Sequence, residues 1–114
     1  MPYIKNFPHA QVRPLAQEVA AQPGQIVSRT LAQNPYVSVT LFAFAEGEEI
    51  STHDSAGDAM VQGLEGTGRL TVGGEEHLVH AGEALVMSAG IPPAGFAPGA
   101  FKMLLTGGVP TQTH

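Results

Sequence analysis

The chain has 114 residues, enough for one small core and too few for separate binding and catalytic domains. Apolar residues make up 43% and charged residues 13%, which suits a buried core and not disorder, while 14 Gly and 9 Pro promise frequent turns. A net charge of −5, with no basic cluster, argues against nucleic-acid or anionic-membrane partners, and the lack of cysteine removes disulfides, thiolate ligands and a Cys nucleophile.

Residues 1–24 read as an N-terminal arm belonging to the same domain. Pro2, Pro8 and Pro14 keep its first part extended, and PLAQEVAAQPG predicts one or two helical turns between Pro14 and the Pro-Gly stop. The start carries no apolar stretch behind a basic end, and no apolar run reaches the roughly 18 residues of a membrane span, so the expected location is the cytoplasm.

From residue 25 the texture becomes that of strands. IVSRTLA is followed by YVSVTLFAFA, in which Val37, Val39, Leu41, Ala43 and Ala45 alternate with Ser38, Thr40, Phe42 and Phe44. Neither face is uniformly polar, as expected of a wall covered on both sides. AMVQGLEG and RLTVGGEEHLVHAG come next, and Gly73-Gly74 between two alternating runs predicts a tight primed hairpin, in which Leu70 and Val72 share a face of one arm and Leu78 and His80 share a face of the other. EALVM stops at Gly-Ile-Pro-Pro, and AFKMLLTG ends the series. Some seven or eight short strands with close turns predict an all-β sandwich or barrel over 25–114.

Two glycine-framed stretches carry a resemblance. GEEISTHDSAGDAMVQGLEG runs over 47–66 and AGEALVMSAGIPP contains 82–93. They resemble the two motifs of a small single-domain cupin, a jelly-roll β-barrel. The first motif is Gly, five residues, His-x-His, three or four residues, Glu, six residues, Gly. The second is Gly, five residues, Pro-x-Gly, two residues, His. The resemblance implies a divalent metal held by three His and one Glu or Gln, with open positions for substrate. Carried over, those ligand places fall on His53, Ser55, Ala59 and Pro93. One of the four is a ligand of the expected type. Asp58 is the nearest substitute acid, yet it points inward only if the chain bulges there. His53 and Asp58 together fall short of the three or four protein ligands of a metal site.

The expectation is therefore a cupin of undefined specific function that binds a small organic molecule in the barrel mouth near His53, with no cofactor. The alternative is an enzyme: a metal-dependent oxygenase or isomerase with non-standard ligands that include His53 and Asp58, or a metal-free isomerase or epimerase using His53 as base beside Asp54 or Asp58. Candidate pocket residues are His53, Ser55, Asp58, Met60, Met87, Pro93 and Met103. Phe42, Phe44 and Phe101 join Met60, Met87 and Met103 as wall or core residues. His77 and His80, three apart, fall on opposite faces of one strand and read as solvent or wall residues, while His9 and His114 belong to no motif. No serine sits in a nucleophile elbow, and the glycines of LEGTGRLTVGG are turn glycines. Exposed sheet edges predict a homodimer.

Overall fold

The computed structural model describes residues 3–51, 57–88 and 94–108. Among these residues are one 3-10 turn, Leu15–Glu18, and nine strands. The strands are β1 (Ile26–Gln33), β2 (Val37–Phe44), β3 (Glu49–Ser51), β4 (Ala59–Glu65), β5 (Thr67–Val72), β6 (Glu75–His80), β7 (Ala84–Met87), β8 (Ala94–Phe96) and β9 (Phe101–Gly108). They form a five-stranded sheet, β1-β2-β9-β4-β7, and a four-stranded sheet, β3-β8-β5-β6, with neighbouring strands antiparallel. This is the expected jelly-roll arrangement, in which chain crossings between two sheets close one interior. No helix among the described residues is long and apolar enough to cross a membrane.

The strand count exceeds the expected seven or eight because β3 and β8 have three residues each, too few to display an alternation, and exist through their pairing with one another. The arm forms a single four-residue 3-10 turn in place of a longer helix, and Val19 is already extended. Val19 is 5% exposed against the sheet, so burial of its side chain takes the chain out of helical geometry.

Around β2 and β9 both faces of the larger sheet are buried, for different reasons. Phe44, Val61, Met87, Phe101 and Met103 fill the space between the sheets with Ile50, Leu70 and Val79. The rings of Phe42, Phe44 and Phe101 stack in series at centroid distances of 5.6 and 6.2 Å. On the outer face Leu41 and Ala43 pack with Val19 and Leu31, flanked by Phe7, Leu15, Val27 and Leu104. The mixed pattern of β2 is thus that of a strand with the barrel interior on one side and the N-terminal arm on the other.

Polar contacts hold the arm in place. The Lys5 N–H donates to the Leu31 carbonyl at 2.7 Å, Asn6 Nδ2 to the Thr30 carbonyl at 2.8 Å, and Lys102 Nζ to the Ala16 carbonyl at 2.7 Å. Glu18 is the buried anchor: its side chain is 4% exposed, with Arg13 Nε and Arg29 Nη1 each 3.0 Å from a different carboxylate oxygen. Both arginines donate to it. Two charge-assisted hydrogen bonds offset the cost of burying one carboxylate, and half of that arrangement comes from β1.

Two turns need glycine. Gly73 and Gly74 have φ of 58° and 82°, the primed hairpin expected between β5 and β6. Gly66, at φ 76°, passes the chain from one sheet to the other so close to the Ala100 carbonyl that a Cβ would collide with it.

Two outcomes test these constraints. Glu18→Ala strands two arginines that are still 42% and 38% exposed, so its cost falls near the lower end for a broken buried pair, about 2–3 kcal/mol in urea unfolding. Gly66→Ala combines left-handed strain with the Ala100 collision and costs at least about 2 kcal/mol by the same measurement.

Candidate functional site

Strand register and connectivity give the barrel two unlike ends. At one end the chain turns through 45–48, Gly66, 81–83 and 97–100. Here Phe44, Phe101, Val79 and Ala97 are all at most 3% exposed, and the Phe101 ring lies against Gly68. This end is plugged. At the other end lie the last residue of β5, the first of β6 and β4, and the last of β7. The inward residues there, Ala59, Val72 and Leu105, are only partly buried although they pack on the same core. The glycine frames Gly47, Gly66 and Gly82 lie at the plugged end, while β3 and β7 finish at the open one.

The sequence-derived candidates fall into three groups. His53, Ser55 and Pro93, with Asp54, lie outside the described residues. Met87 and Met103, at 2% and 0% exposure, are part of the core between the sheets. Met60 and Asp58 are exposed. In β4, Val61 and Gly63 are buried, so alternation sends Met60, 38% exposed, to the outer side. Asp58 precedes β4, and its carbonyl accepts from the Gly108 N–H at 2.8 Å. The inward place at the start of β4 belongs to Ala59, opposite Met87 on one side and Gly107 on the other.

His77 and His80 do lie on opposite faces. His77 pairs directly with Leu70, which is 0% exposed, so it lies on the interior side of β6. Its Nε2 is 3.3 Å from Oε1 of Glu75 at the start of the same strand. His80 is on the outer side with Leu78, 54% exposed, and its backbone N–H donates to Glu83 Oε1 at 2.9 Å. The interior position of His77 was available from the hairpin: once Gly73-Gly74 is a two-residue turn, Val72 must face Glu75 and Leu70 must face His77.

Residues 40–106, more than half of the chain, match the family profile described as Cupin domain. The chain belongs to the cupin family. Among solved structures, this cupin is similar to a conserved protein of unknown function from Streptococcus pyogenes, with 44% identity, 97% of each chain covered and a TM-score of 0.92. A cupin superfamily protein from Desulfitobacterium hafniense is 31% identical over 94% of this chain and 98% of its own, with a TM-score of 0.88. A salicylate 1,2-dioxygenase from Pseudaminobacter salicylatoxidans shares the fold alone, with 19% identity over 76% of this chain and 27% of its own and a TM-score of 0.66. No curated protein matches the sequence.

The family's four-ligand metal set does not fit this cupin. Its acid position carries the inward-facing Ala59, whose methyl group offers no donor atom, and the neighbouring Asp58 is an exposed residue ahead of the strand. Among the described residues no three His, Asp or Glu side chains stand together as a metal cluster would require.

Two methionines should separate by face. Met87→Ala removes a fully buried side chain and lowers stability by about 2–5 kcal/mol, while Met60→Ala on the outer side stays within about 0.5 kcal/mol; equal losses in urea titrations would contradict the assigned faces.

Proposed function

We propose that this cupin binds a small organic molecule in the open mouth of its barrel, near His53, and does so without the divalent ion of the family's usual site. The observation that carries the reading is the alanine at the inward acid position, with Asp58 exposed beside it. An oxygen donor is missing where the ion's charge most needs one. The rest of the support is the graded burial of the barrel: a plugged end, and another toward which Ala59, Val72 and Leu105 are only partly buried. An apolar barrel end of this size suits a small ligand better than a polymer.

Elemental analysis of protein purified without an affinity tag tests the metal-free half of this reading. The expected content is well below one ion per chain and unchanged in His53→Ala. Stoichiometric metal that disappears on that substitution would overturn it in favour of a metal enzyme with non-standard ligands.

The same reading includes a homodimer. β1, β3, β6 and β7 are the edge strands of the two sheets, and Met60, Leu78 and Val86 are exposed at 38%, 54% and 54%. Covering such edges and side chains is a common reason for pairing. Light scattering at micromolar concentration should return twice 11.8 kDa, and the single-chain mass would contradict the dimer.

A further inference from the structure

We infer that His77 and Glu75 form a polar recognition pair at the barrel mouth, which takes the hydroxyl group of a small, uncharged and largely apolar molecule. The inference rests on the barrel-mouth reading above and adds to it the chemistry of the ligand.

Register places both residues. His77 stands opposite Leu70 and Glu75 opposite Val72, and both of those partners belong to the barrel interior. The turn between the two strands lies at the open end, so the pair sits on the rim. Exposure agrees: the His77 side chain is 36% exposed and that of Glu75 78%. The imidazole is therefore partly covered and partly open.

The chemistry follows from the 3.3 Å separation of His77 Nε2 and Glu75 Oε1. A carboxylate beside one ring nitrogen favours the tautomer that carries its proton there, and in the neutral ring this leaves Nδ1 as an acceptor. Among the described residues nothing hydrogen-bonds to Nδ1. A ligand donor is then the natural complement. The inner wall beside the pair, Leu70 and Val72, is apolar and would strip water from a charged ligand without replacing it. An anion would also meet the carboxylate of Glu75. A cation would find Glu75 too solvent-exposed for the attraction to offset its desolvation. An alcohol or phenol satisfies the acceptor and the wall together.

The test uses the full chain with nitrogen-15-labelled histidine, titrated with phenol and, in parallel, with anisole, which has the same ring without the donor. Phenol should move the His77 Nδ1 resonance, and anisole should not. His77→Phe should weaken phenol binding about tenfold and leave anisole unchanged. Glu75→Gln should weaken phenol by a smaller factor, and His80→Phe, on the outer face, should change neither. If His77→Phe fails to fold, the wild-type comparison of the two probes decides the matter. Equal behaviour of phenol and anisole on the wild type, or phenol binding indifferent to His77→Phe, overturns the recognition pair and leaves the barrel-mouth reading standing. Failure of both probes to bind the wild type at millimolar concentration overturns both.

Discussion

A five-stranded sheet that is apolar on both faces cannot stand in water, and this constraint organises the protein. The inner face of β2 and β9 is closed by the second sheet, through Phe44, Phe101 and Met103 against Ile50 and Leu70. The outer face is closed by the N-terminal arm, through Val19 on Leu41 and Ala43. Apolar burial supplies the drive but not the direction, since a greasy arm could slide along a greasy sheet. Direction comes from Glu18, held by Arg13 of the arm and Arg29 of β1, and from Lys102, which reaches the Ala16 carbonyl from β9. A buried carboxylate tolerates little displacement, because each lost partner leaves charge uncompensated.

The same packing leaves one end of the barrel less filled than the other. Large side chains are concentrated where the chain turns through Gly66 and 97–100, and this end is filled. Toward the other end the inward residues become smaller and less covered: Ala59 follows Val61, and Val72 follows Leu70. Ala59 matters twice. It leaves no donor atom at the family's acid position, and it keeps the start of β4 slim. Polar character on the described part of the rim then comes from β6, through His77 and Glu75.

Much of the fold was legible before any coordinates. Gly73-Gly74 announced its hairpin because consecutive positive φ values are nearly confined to glycine, and the register followed from the two-residue turn. The double-faced pattern of β2 announced cover on both sides, though not that the arm supplies one of them. Other features were illegible for local reasons. β3 and β8 are too short for a period, and the extra residues at Leu31 and Leu64 are irregularities of pairing that no single strand displays. Met60 looked like an interior residue because it is apolar. Its face was set by the neighbouring Val61, which the register with Leu105 and Leu85 turns inward.

By itself, then, the sequence determined the element types, the turn glycines and the spacing of the two motif frames, including the ligand places that read His53, Ser55, Ala59 and Pro93. These are properties of local dihedral preference and of counting, and both act over a few residues. Tertiary structure alone decided that Ala59 faces inward while Asp58 is exposed, and that Glu18 of the arm meets Arg29 of β1. Each of those facts depends on which strands lie side by side, and that choice is made by burying the whole apolar surface at once.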